Sequence, residues 1–314
     1  MRIAVMGTGG VGGYFGARLA QAGHEVHFIA RGAHLAAIRN EGLRILSIKG
    51  DFTVDRAHAT DDPATVGPTE AVIVGVKTWQ LPEAARAMRP LVGPDTLVLP
   101  LLNGVDASSE LSDVVGSRHV LGGLCRISAE VAAPGVIRHS AVEPSIILGE
   151  MYNRRTERAQ RLAGTLTEAG VRTEIATDID AAIWEKFMLI ASWSGIGAVT
   201  RAPIGVWRSM PALRSMAEQC LREIHAVARA RGVRLESDRV AGTLAAFDSV
   251  PAKSVASMQR DVLSGRPSEL EAQNGAVVRL GAEADVATPT HAFIYHSLLP
   301  QELAARGTSH RDSR

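Results

Sequence analysis

The first residues that could do chemistry are the glycines of Gly7-Thr8-Gly9-Gly10-Val11-Gly12. A strand-like segment precedes this Gly-x-Gly-x-x-Gly turn, and a helical apolar pattern follows it. In such a turn, Gly7 makes the sharp bend, Gly9 lets the backbone approach a pyrophosphate, and Gly12 lets helix and strand pack closely. The helix then presents unpaired N–H groups to the diphosphate. The motif predicts that these six residues bind a dinucleotide; the alternative is a glycine-rich turn without a ligand.

A second predicted strand, 25–30, ends at Arg31. A site for NAD would place Asp or Glu near this point, where it accepts hydrogen bonds from the ribose hydroxyls. A guanidinium instead suits a 2′-phosphate, which it binds through charge-assisted hydrogen bonds. The sequence therefore predicts NADP(H) as the cofactor. The alternative is an ordinary surface arginine.

Two further polar residues follow buried strands. Lys77 comes after the apolar run 71–76, and Asn103 comes after the run 96–102. Continuous apolar runs of this length are typical of parallel strands buried on both faces. The carboxyl ends of such strands line the ligand crevice of an open α/β sheet. We therefore expect Lys77 and Asn103 to lie near the cofactor.

The pattern of elements predicts two domains and a tail. Residues 1–177 read as an α/β Rossmann-type domain with a mostly parallel sheet, which the segments 120–124, 135–139, 145–148 and 171–175 extend as extra strands. Residues 178–305 read as an all-α domain, and the polar tail 306–314 is predicted to be disordered. Asp180 is the expected N-cap of its first helix. The predicted helices are 180–195, 212–231, 237–248, 254–264, 270–284 and 290–304.

Composition excludes several classes of function. A net charge of +1 gives no electrostatic reason to bind nucleic acid or an anionic membrane. The most apolar run, 187–199, is too short to span a bilayer. Cys125 and Cys220 lie far apart, which indicates buried thiols in a reducing cytoplasm rather than a disulfide framework. The histidines are scattered, and His291 and His296 do not share a helical face, so no metal site is expected.

Several separate motifs together indicate a family. Besides the glycine-rich turn and Arg31, they are Val76-Lys77-x-x-Gln80, Leu102-Asn103-Gly104-Val105, Trp184-x-Lys186, Ser257-Met258-x-x-Asp261, and Glu269 with Asn274-Gly275. In the order and spacing of these motifs, the chain from Gly7 to about Leu299 resembles the ketopantoate reductase (2-dehydropantoate 2-reductase) family. The resemblance implies an NADPH-binding Rossmann domain, a helical domain, and an active site in the cleft between them. It also implies a 2-oxo acid substrate, with ketopantoate as the named candidate and pantothenate biosynthesis as the pathway.

The same resemblance implies roles for individual residues. Lys186 would be the catalytic lysine, and Ser257 and Glu269 would contact the substrate or orient Lys186. Lys77 and Asn103 would lie near the nicotinamide ribose. The implied substrate-binding residues are Asn103, Lys186, Ile190, Ser194, Ser257 and Glu269. These types suit the reaction: hydride transfer to a ketone develops negative charge on its oxygen, and a protonated lysine supplies both a cation and a proton there. Without the resemblance, Lys186 would read as a surface lysine.

Two positions depart from the family pattern. Ile190 and Ser194 stand one and two turns after Lys186, where the family usually has asparagines that bind substrate. With Trp193, they make this wall more apolar. This leaves open a reductase of a bulkier or more apolar 2-oxo acid. It also leaves open a silent NADP(H)-binding sensor whose helical half is a dimerisation or partner surface, and a homodimer remains open for the enzyme as well.

Overall fold

A computed structural model describes residues 1–307 of the 314-residue chain. These residues form two compact units. The first comprises 1–102 and 106–182; the second comprises 103–105 and the chain from Ile183 onward. The predicted boundary between 177 and 178 lies just before a long helix, α6 (Ile179–Thr200), whereas the contacts divide the chain within that helix.

The strands of the first unit form two sheets. In chain order they are β1 (Arg2–Met6), β2 (Glu25–Ile29), β3 (Leu43–Ser47), β4 (Phe52–Val54), β5 (His58–Thr60), β6 (Thr69–Val74), β7 (Val92–Pro100), β8 (Leu121–Ala133), β9 (Val136–Glu150) and β10 (Arg172–Ile175). The first sheet has the order β5-β2-β1-β6-β7, and every neighbouring pair in it is parallel. The expected parallel α/β architecture is therefore confirmed.

β1 lies at the centre of this sheet and is buried on both faces. Ile3 and Val5 belong to one hydrophobic core, while Ala4 and Met6 belong to another on the opposite face. This alternation follows from the two-residue period of a strand. β6 repeats the pattern, so its uninterrupted apolar sequence reflects helices or a second sheet on each side.

The segments predicted to extend the parallel sheet form a separate sheet instead. β8 and β9 are one long antiparallel hairpin, and β9 also pairs in parallel with β3 and β10. The polar residues that broke the apolar pattern into short pieces lie on the exposed face of this hairpin. Gly135, with a φ of +74°, makes the tight turn between the two strands. β3 and β4 form a second antiparallel hairpin, whose connecting turn contains Lys49, Gly50 and Asp51.

Helices follow the carboxyl ends of the parallel strands. They are α1 (Gly10–Gln21), α2 (Gly32–Glu41), α3 (Leu81–Ala87) and α4 (Ala107–Val115), whereas α5 (Glu157–Glu168) connects β9 to β10 of the other sheet. α1 follows β1, α2 follows β2, and α3 follows β6 after a short 3₁₀ turn. Their N-termini therefore gather at the edge where an open α/β sheet binds its ligand.

The second unit is helical, as predicted. After α6 come α7 (Ile204–Trp207), α8 (Pro211–Ala230), α9 (Arg239–Ser249), α10 (Ser257–Leu263), α11 (Ala276–Glu283) and α12 (Pro289–Ala305). The helix predicted over 270–284 is helical from Glu271 to Glu283, but its first turn, Glu271–Gly275, is a π-helical turn that runs directly into α11. The Asp180 N-cap is also wrong: Asp178 Oδ1 accepts from the Ala181 N–H at 3.1 Å, so the cap lies two residues earlier.

The start of the tail is ordered, contrary to the prediction for residues 306–314. Arg306 Nε donates to Glu302 Oε1 at 2.7 Å, and its Nη2 donates to the Ser268 carbonyl at 3.0 Å. Arg306 therefore closes the last turn of α12 against the chain before Glu269. Residues 308–314 lie outside the described part of the chain.

Buried polar groups fix α12 against α8. The Glu223 carboxylate, on α8, accepts from the backbone N–H groups of Thr290 and His291 at 2.9 and 3.0 Å and so satisfies the first turn of α12. The fully buried His291 ring contacts the Cys220 carbonyl through Nε2 at 3.2 Å. Burial lowers the pKa of His291 to about 4, although Glu223 and the Cys220 carbonyl act in the opposite direction.

The free energy of unfolding is expected to fall as the pH drops from about 6.5 to about 4. Below pH of about 6.5 the unfolded chain protonates this histidine, whereas the folded protein does so only near pH 4. We measure the free energy of unfolding in urea at pH 7 and at pH 5. Between these pH values, the wild type should lose about 1–2 kcal/mol more of this free energy than His291→Gln, which has no histidine to protonate at this position. His296→Gln, an exposed position on the same helix, is the control. Equal losses in the wild type and H291Q would contradict this assignment.

Candidate active site

The glycine-rich turn is held by backbone contacts that only glycine permits. Gly7 has a φ of +97°, and the N–H groups of Gly7 and Thr8 donate to the Ile29 carbonyl at 3.3 and 3.2 Å. A Cβ on Gly12 would lie 2.1 Å from the Gly7 oxygen, and one on Gly10 would lie 2.4 Å from the Ala129 oxygen. The turn therefore brings β1, α1 and the β8 strand into direct backbone contact.

The start of α1 is open. Gly9 is its N-cap residue, and a Cβ added there would meet no described atom within 4 Å. Among the described residues, no side chain caps this helix by a hydrogen bond, and its first turn carries no acidic residue. The first N–H groups, from Gly10 and Val11, are thus available with the helix dipole behind them. This arrangement fits a diphosphate.

Thr8 contributes through its backbone, because its side chain is occupied. The buried Thr8 hydroxyl donates to the Ile29 carbonyl at 3.0 Å. His34, on α2, holds the same residue: its Nδ1 accepts from the Gly135 N–H at 3.0 Å, so its Nε2 donates to the Thr8 carbonyl at 2.8 Å. Burial lowers the pKa of His34, which favours this neutral form. Sequence reasoning missed this role, since nothing in the spacing marks His34.

Arg31 and Lys77 follow the carboxyl ends of β2 and β6. The Arg31 side chain is 59% exposed, and its Nη2 lies 2.8 Å from Glu83 Oε1 in the first turn of α3. Lys77 is half-buried, with Nζ 5.7 Å from the centre of the Trp79 ring. The Lys77 N–H donates to Gln80 Oε1 at 3.2 Å, so the glutamine of the Val76-Lys77-x-x-Gln80 motif shapes this turn.

In the second unit, Asn103 and Glu269 come together. Asn103 Nδ2 donates to Glu269 Oε2 at 2.8 Å, although the two residues lie 166 positions apart. Glu269 is only 3% exposed, so this contact satisfies a carboxylate that is largely removed from water. Next to Asn103, a Cβ on Gly104 would lie 2.9 Å from the Ala272 oxygen, which explains why glycine suits this close approach.

A second buried carboxylate fixes the chain immediately before Glu269. Glu302 accepts from the Ser268 N–H at 3.0 Å and from the Ser268 hydroxyl. Arg306 pairs with Glu302 and also donates to the Ser268 carbonyl. Both polar backbone groups of Ser268 are therefore bound, one by Glu302 of α12 and the other by Arg306 directly after it, and these contacts fix the chain next to Glu269.

The π-helical turn after Glu269 lets Asn274 reach α6. Its Nδ2 donates to the Ala191 carbonyl at 3.3 Å and lies 3.0 Å from His291 Nδ1. A Cβ on Gly195 would approach the same amide nitrogen at 2.6 Å, so glycine makes room for it. Asn274, part of the Asn274-Gly275 motif, thus ties α6 to α12. π-turns of this kind are frequent at functional sites.

The remaining candidate residues lie on α6 and α10. Lys186, Ile190 and Ser194 follow one another at four-residue intervals, which places them along one face of α6. Lys186 and Ile190 are half-buried, and Ser194 is buried. Ser257 is the first residue of α10 and is half-buried.

The structure thus groups the predicted residues into two sets. The cofactor residues other than Asn103 lie in the first unit, and Asn103 joins Lys186, Ile190, Ser194, Ser257 and Glu269 in the second. The orientation of Lys186 by Glu269 stays a prediction. Both cysteines are buried and neither forms a disulfide bond, and burial raises the pKa of the Cys220 thiol.

Residues 1–307 contain no cluster of His, Cys, Asp or Glu that could hold a metal ion. None of their helices is long and apolar enough to cross a membrane.

Comparison with known proteins identifies relatives of both units. The family model described as "Ketopantoate reductase PanE/ApbA" matches residues 3–153, and its C-terminal counterpart matches residues 178–302. A 2-dehydropantoate 2-reductase from Mesorhizobium japonicum is 31% identical over 312 residues, covering 92% of this chain and 94% of its own. The two family models together match most of residues 1–307.

Solved structures show the same fold. The crystal structure of 2-dehydropantoate 2-reductase from Geobacter metallireducens has a TM-score of 0.89 at 31% identity, covering 96% of this chain and 99% of that one. D-mandelate dehydrogenase, with NADH and anilino(oxo)acetate bound, has a TM-score of 0.90 at 23% identity, covering 98% and 100% of the two chains. The second likeness shows the fold alone. On the family models and the first two relatives, the chain belongs to the ketopantoate reductase family of NAD(P)H-dependent oxidoreductases.

Proposed function

We propose that this protein reduces a 2-oxo acid to a 2-hydroxy acid with NADPH. The observation that carries the proposal is the open N-terminus of α1 beside the exposed Arg31. The first feature fits a diphosphate and the second fits a 2′-phosphate. Lys186 and the Asn103–Glu269 pair, on the second unit, supply the polar groups that reduction of a ketone needs.

The bound nicotinamide supplies the hydride, and the protein's residues manage charge and protons. The ketone oxygen becomes an alkoxide as the hydride arrives, and the ammonium group of Lys186 stabilises that charge and donates the proton. Glu269 orients the lysine. Asn103 keeps the buried Glu269 carboxylate hydrogen-bonded and oriented.

The substrate we infer first is ketopantoate, which would be reduced to pantoate as in the named relatives. A second candidate is a bulkier or more apolar 2-oxo acid, and the half-buried Ile190 favours it. An isoleucine there cannot pair with a substrate hydroxyl, and an unpaired buried hydroxyl costs about 1–3 kcal/mol.

The cysteines and the net charge support a compartment and a class of partner. We infer a cytoplasmic enzyme, because both cysteines are buried and neither forms a disulfide bond. A net charge of +1 fits a small-molecule substrate without nucleic acid or membrane as partner. A homodimer remains a prediction that solution scattering would test.

Lys186→Ala is expected to lower kcat by about 10²–10⁴-fold, because the variant lacks the proton donor. NADPH affinity should stay within about twofold of the wild type. Steady-state oxidation of NADPH, together with a fluorescence titration of NADPH, measures both quantities. Lys253→Ala, an exposed lysine of the same unit, is the control. Unchanged turnover in K186A would remove Lys186 from its role. Cofactor binding without turnover of any 2-oxo acid by the wild type would favour a sensor.

Arg31→Ala is expected to weaken NADPH binding by about 10–100-fold, because charge-assisted hydrogen bonds to the 2′-phosphate are lost. NADH binding should change little. Arg39→Ala, an exposed arginine of α2, is the control. Calorimetric titration of both cofactors separates a phosphate contact from a structural role; an equal loss for the two would indicate the latter.

Ile190→Asn combined with Ser194→Asn tests the substrate. If the family's usual asparagines bind the ketopantoate hydroxyl or carboxylate, the double variant should raise kcat/KM for ketopantoate by about tenfold relative to branched apolar 2-oxo acids. Assays on a panel of 2-oxo acids give this ratio. A wild type that already prefers ketopantoate strongly would exclude the apolar candidate, whatever the variant does.

A further inference from the structure

The Arg31 guanidinium forms an ion pair with the carboxylate of Glu83. Its Nη2 is 2.8 Å from Glu83 Oε1, and the two side chains are 59% and 62% exposed. The residues come from different elements: Arg31 is the N-cap residue of α2, and Glu83 lies in the first turn of α3. Both belong to the first unit, so the contact is internal to the dinucleotide-binding fold.

The two groups favour different cofactors. A guanidinium at the end of the second strand binds the 2′-phosphate of NADP, whereas a carboxylate near that point accepts hydrogen bonds from the ribose hydroxyls of NAD. Here the second strand ends in the guanidinium, and the carboxylate is brought to it by α3. A 2′-phosphate would have to displace Glu83 from Arg31 and would then lie beside a like charge. A 2′-hydroxyl would instead find an acceptor already oriented by Arg31.

We propose that Glu83 sets the cofactor preference of this protein: it weakens NADPH binding, supports NADH binding, and lets one site accept both. The proposal rests on the nicotinamide site of the proposed function. Because an exposed ion pair is weak, a phosphate still displaces Glu83, so the preference for NADPH is reduced rather than lost. The alternative is a surface ion pair with no part in cofactor choice.

The test is fluorescence titration of NADPH and NADH, without substrate, into the wild type and Glu83→Gln. The variant keeps the size of the side chain and removes its charge. We expect its Kd for NADPH to fall about 3–10-fold and its Kd for NADH to rise about 3-fold or more, since the competing charge and the strong acceptor are both removed. Glu83→Ala should shift the ratio of the two constants in the same direction.

Glu143→Gln is the matched control, because Glu143 is 55% exposed and pairs with Lys49 on the other sheet. It should leave both constants within about twofold of the wild type. The ratio of the Kd for NADPH to the Kd for NADH decides the question. If it stays at the wild-type value in E83Q and E83A, Glu83 does not set the cofactor preference, although the NADPH site itself is not contradicted. A wild type that binds neither dinucleotide would instead overturn the proposed function and this inference with it.

To place the effect at the adenosine ribose, the same variants are titrated with adenosine 2′,5′-bisphosphate and with adenosine 5′-monophosphate. Glu83→Gln should tighten the bisphosphate and not the monophosphate. Equal tightening of both ligands would mean that Glu83 acts only through the general charge of the surface, which contradicts a contact at the 2′ position.

Discussion

The site depends first on a helix that begins without a side-chain cap. A capping Ser, Thr or Asp at the position of Gly9 would satisfy the N–H groups at the start of α1 internally. Gly9 leaves them free, and Gly7 and Gly12 bring the helix close enough to β1 for the turn to hold its shape. The unpaired donors are a local cost to stability that a diphosphate bound there would remove. His34 and the Ile29 carbonyl keep the turn in place meanwhile.

The second unit depends on buried carboxylates rather than on exposed charge. Glu223 receives the first turn of α12, Glu302 holds the chain at Ser268, and Glu269 accepts from Asn103. Each of the three is less than a tenth exposed, and each has hydrogen-bond donors around it. Buried carboxylates with fixed donors have one favoured geometry, because leaving any of those groups unpaired is expensive. This rigidity suits the role proposed for Glu269, which is to orient Lys186.

Local pattern was enough to predict the parallel sheet, the glycine-rich turn and most helices, because each depends on residues close in sequence. Pattern failed where polar residues interrupt a long strand: β8 and β9 read as short pieces, since their exposed face carries charges along its length. It also failed at the π-turn, where one extra residue turns Asn274 toward α6. The family resemblance supplied Lys186 and Glu269, which spacing alone does not distinguish from surface charges. The Arg31–Glu83 and Asn103–Glu269 contacts join distant parts of the chain, and no periodicity reveals them.

The proposed reduction needs both the dinucleotide at the glycine-rich turn and the ammonium group of Lys186. The most direct measurement follows the loss of NADPH absorbance when the wild-type protein is mixed with each of a panel of 2-oxo acids, while the hydroxy acid formed is quantified by chromatography. We expect one hydroxy acid produced for each NADPH consumed, for ketopantoate or a more apolar 2-oxo acid. NADPH that binds but is oxidised by none of them would contradict it.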